Sequence, residues 1–141
     1  MTVLLDTNVV LDILLNRQPW YTEAALIFSL SKHKLIKSYI SVSSVTDVFY
    51  LTQKENGKPF AKNSVKRLLK VINPASVTDK DIYKALDMDW EDFEDSVQCI
   101  VGENLCVDYI ITRNDKDFSL SPIKALTPKQ FLETIADMEN N

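Results

Sequence analysis

Glycine, histidine and cysteine are scarce in this chain of 141 residues. Gly57 and Gly102 are the only glycines, so neither a phosphate-binding P-loop nor a glycine-rich dinucleotide fingerprint can be written. His33 is the only histidine, which argues against histidine-based acid-base relays and a histidine-ligated metal. Cys99 and Cys106 form no CxxC pair, so we expect two free thiols in the core rather than disulfides or a zinc site.

Long apolar runs are also missing. No stretch approaches the roughly 18 residues that span a bilayer, and Asp6 interrupts the apolar N-terminal segment, so a secretory signal is not expected. These features predict a cytoplasmic protein without a membrane partner. The length, with 45% hydrophobic and 26% charged residues, predicts one globular domain over residues 1–141.

The net charge of −4 argues against a wholly basic nucleic-acid-binding protein, but the charges are unevenly distributed. Residues 79–108 hold ten acids and two lysines, whereas residues 54–70 hold six basic residues and one acid. In the basic segment, lysines recur every four residues, which on a helix places them along one side. This lysine stripe is either a track for RNA phosphates or a solvated face, and it consists of Lys58, Lys62, Lys66 and Lys70.

Short apolar runs alternate with stretches of helical periodicity along the chain. Five strands are predicted at residues 3–5, 35–41, 75–77, 109–111 and 123–125. Capping patterns start several of the helices between them, at Ser43 or Ser44, at Thr78 and at Thr127. Strands separated by helices predict an α/β fold with a mostly parallel central sheet of about four or five strands.

Four separate segments each bring acids toward one edge of that sheet. Asp6 ends the first strand, Asp47 lies in the helix after the second, Asp95 lies in the helix before the fourth, and the loop 112–117 follows the fourth. Ligands of open parallel sheets bind beyond the carboxyl ends of the strands, so these acids should meet. Crowded carboxylates repel unless a divalent cation compensates them, and oxygen ligands favour Mg²⁺ or Mn²⁺. Such ions serve phosphodiester chemistry, which indicates a nuclease.

Each of these acids also has a purely structural interpretation. Asp6 is a favoured residue for capping the helix that follows it. Ser44-x-x-Asp47 has the spacing of a capping box, so the Asp47 carboxylate could bind a backbone amide instead of a metal. Asp92 lies one helical turn before Asp95 on roughly the same face and is the reserve candidate.

Polar residues next to the acids are predicted to support them rather than to bind the metal. Thr7 and Asn8 would orient the first-strand acid or cap the helix, and Thr112 would hydrogen-bond the metal-binding acids. Arg113 would meet a phosphate or form a surface ion pair, and Asp117 could simply fix its loop.

Two further expectations concern packing. Asp12 is expected to face solvent or a neighbouring helix. Five aromatic residues are expected in the core, with a homodimer or partner surface as the alternative: Trp20, Tyr21, Phe49, Tyr50 and Phe60.

Four motifs resemble those of the PIN-domain family, in order and across almost the whole chain. They are "LLDTNVVLDILLNRQPW", "SVSSVTDVFYLTQK", "DFEDSVQCIV" and "YIITRNDKDFSLSPIKALTPKQF". They most resemble the branch of toxins from bacterial toxin-antitoxin systems. The resemblance implies an α/β/α sandwich, a metal-dependent endoribonuclease that cleaves RNA, and a cognate antitoxin protein that covers the site.

The resemblance also assigns roles to individual residues. Asp6 matches the acid that ends the family's first strand, and Asp95 matches the acid of its "DFEDAVQ"-like helix. These two residues would bind Mg²⁺ or Mn²⁺. Asp47 and the loop that contains Asp115 would complete the catalytic set.

Two residues depart from the family's pattern. Asp47 stands where the pattern often has glutamate, and its side chain is shorter by one methylene. Asn114 stands where many members have aspartate. The last carboxylate would then come from Asp115 or Asp117, or the site would have one acid fewer. The alternative is therefore a catalytically decayed PIN-like scaffold that binds RNA or a protein partner.

Overall fold

A computed structural model describes residues 1–141 as a five-stranded sheet with helices on both faces. The strands are β1 (Thr2–Leu5), β2 (Lys37–Ser41), β3 (Asn73–Ala75), β4 (Tyr109–Ile111) and β5 (Ala125–Leu126). The helices are α1 (Thr7–Leu14), α2 (Tyr21–Lys32), α3 (Val42–Asn56), α4 (Lys58–Leu68), α5 (Asp79–Leu86), α6 (Phe93–Leu105) and α7 (Pro128–Glu139). A short 3-10 turn covers Asp115–Phe118. No helix has the length and apolar character that crossing a membrane requires.

The sheet is entirely parallel, with strand order β3-β2-β1-β4-β5. The central strand β1 pairs with β2, where Val3 lies opposite Ser38, and with β4, where Leu4 lies opposite Ile110. Because all strands run the same way, their carboxyl ends lie along one edge of the sheet. The residues that follow β1, β2 and β4 are therefore brought together.

The core lies on both sides of the sheet. Val3 and Leu5 belong to a cluster that includes Phe131 of α7, whereas Leu4 belongs to a second cluster that includes Val97 of α6. This alternation follows from strand geometry, in which successive side chains point to opposite faces. Burial of each such side chain contributes about 1.5 to 3 kcal/mol. The predicted α/β/α sandwich is confirmed.

The third strand begins two residues earlier than predicted, at Asn73 rather than at Ala75. Helix α4 ends at Leu68, and Pro74 pairs with Ile40 within the sheet. An edge strand tolerates proline because its outer amide needs no partner. The side-chain amide of Asn73 also donates to the carbonyl of Ser38 at 3.1 Å. The fifth strand is likewise shifted, to Ala125–Leu126.

Three of the five aromatic residues predicted for the core are exposed, whereas Phe49 packs against the first cluster. Trp20, Tyr50 and Phe60 are 40%, 63% and 39% exposed, and Tyr21 and Phe49 are partly buried. Aliphatic side chains make up most of the two clusters, and their buried aromatic members are Phe131 and Phe118. Trp20 covers a guanidinium and Tyr50 lines a polar cleft, both described below.

The two cysteines differ in environment. Cys99 is buried on α6, and burial raises the pKa of its thiol to about 11, as expected of a core thiol. Cys106 is exposed, so its predicted core position is wrong. It ends α6 with φ of 54°, a left-handed conformation that turns the chain away from the helix at the surface.

Candidate active site

Asp6 is buried at the junction of β1 and α1. It occupies the position before the first turn of α1, yet its side chain makes no capping hydrogen bond. Its Oδ1 accepts from Nε2 of Gln98 at 2.9 Å and its Oδ2 accepts from Oγ1 of Thr112 at 2.7 Å. The capping interpretation of Asp6 is therefore wrong, and both carboxylate oxygens are oriented by side chains from α6 and from the end of β4.

The carboxyl edge of the sheet opens into a cleft of about 440 Å³, called here the acidic cleft. It contains no basic residue, and six of its twelve lining residues are acids: Asp6, Asp47, Asp92, Glu94, Asp95 and Asp117. Thr7, Asn8 and Asn114 also line it. The segments that the strand order predicts to converge do converge here. Like charges at this density raise the free energy of the fully ionised site.

Asp95 shows the effect of this crowding. Burial, followed by the negative charges of Asp6, Asp92, Asp117 and Glu94, raises the pKa of Asp95 to about 7. The backbone amide of Asp95 donates to Oδ1 of Asp92 at 3.0 Å, so Asp92 caps α6. Asp92 thus has a structural role as well as a place in the acidic cleft.

Glu94 is a cleft acid that the sequence reasoning missed. Its Oε1 accepts a hydrogen bond from Oγ1 of Thr7 at 2.9 Å, so the Thr7 hydroxyl binds Glu94 and not Asp6. Burial is the main cause that raises the pKa of Glu94, and the Thr7 hydrogen bond opposes it. Glu94 precedes Gln98 by four residues and shares its helix face, but nothing in the sequence marked Gln98 as the partner of Asp6.

Asp47 lies on α3 at the wall of the acidic cleft and is exposed. The predicted Ser44-x-x-Asp47 capping box does not form, because α3 starts at Val42 and Ser41 is its cap. The amide of Ser44 donates to Oγ of Ser41 at 3.2 Å. Asp47 therefore has no capping function, and its carboxylate faces the cleft.

The loop after β4 separates its two aspartates. Asp117 lines the acidic cleft together with Asn114. Asp115 instead borders a separate shallow cavity, next to residues such as Lys124. The 3-10 turn over these residues places the two side chains on different sides. The amide of Asn114 donates to Oγ1 of Thr112 at 3.1 Å, so Thr112 links this loop to the first-strand acid.

Arg113 lies outside the acidic cleft. Its Nε is 3.2 Å from Oδ2 of Asp12, and its guanidinium carbon is 3.9 Å from the ring centroid of Trp20. The Asp12 side chain is only 1% exposed, so of its two predicted positions, facing solvent or a neighbouring helix, the first is excluded. Arg113 forms an ion pair, as one of its two predicted roles required, but the pair is largely buried.

The lysine stripe is divided between two surfaces. Lys58, Lys62 and Lys66 are exposed along α4, which ends at Leu68. Lys70 lies beyond the helix and borders a different cleft at the opposite edge of the sheet. None of the stripe lines the acidic cleft.

The donor set of the acidic cleft suits a hard divalent cation in its chemistry, since every acidic group offers oxygen. No three His, Cys, Asp or Glu side chains are arranged to surround one ion. Mg²⁺ commonly takes only one or two carboxylates and keeps several waters. The amide oxygen of Gln98, next to Asp6, is buried without a hydrogen-bond partner. The chemistry of these oxygen donors therefore fits such an ion, with water completing its coordination.

The family model of the PIN domain matches residues 2–116. The chain belongs to the PIN-domain family. No curated protein sequence matches it.

Solved structures of toxin-antitoxin proteins share the fold. VapBC2 from Rickettsia felis, bound to a DNA fragment from its promoter, has a TM-score of 0.68 at 15% identity, with 90% of this chain and 98% of that chain covered. VapC20 from Mycobacterium tuberculosis, a Sarcin-Ricin loop cleaving toxin, has a TM-score of 0.66 at 16% identity, covering 86% and 95%. A toxin-antitoxin complex from Klebsiella pneumoniae has a TM-score of 0.66 at 22% identity, covering 89% and 97%.

Proposed function

We propose that this protein is a Mg²⁺- or Mn²⁺-dependent endoribonuclease that hydrolyses RNA phosphodiester bonds. The observation that carries the proposal is the acidic cleft, in which Asp6 is held by Gln98 and Thr112 instead of capping its helix. Six acids without a basic residue repel one another, and a divalent cation is the natural compensating charge.

The residues of the cleft divide into groups that hold the ion and groups that position them. Asp6 and Asp95 would hold it, and the bound ion would polarise a phosphoryl oxygen and activate a water. Gln98 and Thr112 keep both oxygens of Asp6 oriented. Asp47 and Asp117 supply further carboxylates at the cleft wall, while Asp115 lies outside it and is not part of the proposed set.

We further propose that the protein is the toxin of a toxin-antitoxin pair and acts in the cytoplasm, where its RNA substrate is found. Family membership and the three toxin-antitoxin structures described above support this assignment. The cognate antitoxin would insert basic groups into the acidic cleft, because the cleft has none of its own. A partner placed in this way would also block RNA.

A second candidate is a catalytically decayed PIN-like scaffold that binds RNA or a protein. Two observations favour it: Asn114 supplies a neutral amide at the cleft, and no three acids surround one point. Metal binding distinguishes the candidates. An ion bound to the native state raises stability, so Mn²⁺ should raise the melting temperature of an active enzyme and leave a decayed one unchanged.

The test is cleavage of labelled single-stranded RNA with Mn²⁺ and with EDTA. We expect cleavage that requires the metal and falls by about 10³-fold or more in Asp6→Asn and Asp95→Asn variants. Asp115→Asn is the matched control, because it also removes one carboxylate, but from outside the cleft, and it should retain activity. Equal activity in all four proteins would overturn the assignment, and metal-independent cleavage would indicate a contaminating nuclease.

A further inference from the structure

A second cleft, of about 490 Å³, opens at the edge of the sheet opposite the acidic cleft. The first residues of three adjacent strands line it: Thr2 of β1, Lys37 of β2 and Asn73 of β3. The amino ends of a parallel sheet are therefore exposed to this cavity. We call it the basic cleft, for the reason that follows.

Four lysines surround the basic cleft, and no acid lines it. Lys32 comes from the last turn of α2, Lys34 from the α2–β2 connection, Lys37 from β2, and Lys70 from the segment before β3. All four are exposed, and none forms an ion pair. A chain with net charge −4 thus places four uncompensated positive charges around one cavity. Such a concentration attracts an anion with several charges.

We propose that the basic cleft binds the phosphodiester backbone of single-stranded RNA at a distance from the cleavage site; the choice of RNA rests on the function proposed above. Lysine binds phosphate as a point charge. Beneath the lysines, the buried hydroxyls of Ser31 and Ser38 lie 2.6 Å apart, and Ser31 also donates to the carbonyl of Ile27 at 3.0 Å. These hydroxyls are already paired, so the cleft recognises charge and not base sequence.

The spacing of the two clefts determines which RNA can reach both. The chain from Thr2 to Asp6 spans roughly 13 Å at about 3.3 Å per strand residue. A straight path of this length would take about four nucleotides at roughly 3.4 Å each. An RNA that contacts both clefts must instead pass around the sheet and its helices, so it needs many more nucleotides. The basic cleft therefore increases affinity for long RNA and not for short RNA.

The experiment measures RNA binding without cleavage, by fluorescence anisotropy in EDTA with the Asp6→Asn protein as the parent. The probe is a single strand of about 20 nucleotides, longer than the roughly 4 to 16 nucleotides of typical single-strand sites. The test variant adds four substitutions, Lys32→Gln, Lys34→Gln, Lys37→Gln and Lys70→Gln. The matched control removes the same charge elsewhere, by Lys80→Gln, Lys84→Gln, Lys124→Gln and Lys129→Gln. All eight lysines are exposed, so both variants should fold, and circular dichroism checks this.

We expect the test variant to bind about tenfold or more weakly than the parent, with a salt slope reduced by about 2 to 3, because each lost contact to a single strand removes about 0.7. The control should change by less than about threefold, since dispersed surface charges contribute little individually. Equal losses in both variants would overturn the proposal, because they would reflect net charge alone. Unchanged binding in the test variant would overturn it as well.

Two further arms separate this proposal from the proposed function and from a smaller ligand. In one arm, the four lysine substitutions are made in the protein that keeps Asp6. They should slow metal-dependent cleavage of the long strand and leave cleavage of an RNA of about 4 nucleotides unchanged. Absence of cleavage by the unmodified protein would count against the nuclease, whereas the anisotropy result would still decide the cleft. If the test variant loses pyrophosphate binding but retains RNA affinity, the cleft serves a small phosphate ligand and the RNA assignment is overturned.

Discussion

The guanidinium of Arg113 is paired with the carboxylate of Asp12, with Nε 3.2 Å from Oδ2. This contact ties the loop after β4 to α1, and the ring of Trp20 covers its outer side. Burial raises the pKa of Asp12, against the lowering effect of Arg113 and Arg17. The pair therefore fixes the start of the segment that carries Asn114 into the acidic cleft.

Replacing Arg113 should destabilise the fold through Asp12. Arg113→Leu leaves a buried carboxylate without its partner, and we expect the free energy of unfolding to fall by about 3 kcal/mol. Without Arg113 the pKa of Asp12 should rise further, so at about pH 5 protonation removes much of the cost of its buried charge. The loss of stability should therefore be larger at about pH 8 than at about pH 5. Urea unfolding measures both effects. Adding Asp12→Asn should recover part of the stability, and a double variant as unstable as the sum of the single ones would contradict the pairing.

The pKa of Asp95 predicts an inverted pH dependence in the absence of metal. Its value of about 7 in the folded state exceeds the ordinary 3.8. Below about pH 4 the group is protonated in both states, so the shift has no effect; as pH rises toward 7 the unfolded state releases its proton first and the fold loses stability. Asp95→Asn should therefore be more stable than the native protein at about pH 8, by about 1 to 2 kcal/mol after discounting for partial exposure.

This prediction is checked by urea unfolding in EDTA at about pH 4.5 and about pH 8. Asp115→Asn, outside the acidic cleft, is the control that should show no such gain. Adding Mn²⁺ should reverse the order at the higher pH, because only the native protein retains both proposed ligands. A stability difference that is the same at both pH values would show that the crowding of acids around Asp95 has no energetic consequence.

Gln98 should control metal affinity through the orientation of Asp6. Gln98→Leu removes the Nε2 donor to Oδ1 of Asp6, and we expect the affinity for Mn²⁺ to fall by about 10- to 100-fold. Isothermal titration calorimetry gives the affinity directly. Asn104→Leu is a close control, since Asn104 on the same helix donates to Oδ1 of Asp81 at 2.9 Å, away from the cleft. Equal effects of the two variants would mean that only helix stability is being measured.

Asp47 should respond to an added methylene. Its carboxylate is exposed at the cleft wall and free of any cap, so Asp47→Glu can extend toward the cleft centre without disturbing α3. We expect Mn²⁺ affinity and RNA cleavage to rise by about 3- to 10-fold, since one more oxygen ligand reaches the ion. Asp47→Asn should have the opposite, smaller effect. A decrease in the glutamate variant would indicate that Asp47 acts at its present length.

The sequence predicted the fold and the meeting of Asp6 and Asp95 at one edge of the sheet because both follow from short-range patterns. A buried apolar run followed by Asp6, and helices between strands, are enough to place Asp6 and Asp95 at the carboxyl edge of a parallel sheet. The side on which Asp115 falls depends on a 3-10 turn that no periodicity reveals. The pairing of Arg113 with Asp12 joins segments distant in sequence, so only the folded packing could identify it.

The lysine stripe shows the same limit. A four-residue period predicts a common helix side, but it does not show where the helix ends, and α4 ends before Lys70. The other lysines of the basic cleft come from α2, β2 and the connection between them. Their grouping follows from the sheet topology and not from any local pattern.

The backbone of Asp6 ties the acidic cleft to the centre of the sheet. Its amide donates to the carbonyl of Ile111 at 2.9 Å, which joins β1 to β4 at the centre of the sheet. Exchange of that amide hydrogen requires the central strands to separate, and such positions open only with the whole domain. Fraying of a loop or terminus leaves Asp6 in place. We therefore expect the acidic cleft to keep its geometry for as long as the chain stays folded, so the activity proposed above would be stopped by occupying the cleft or by degrading the chain.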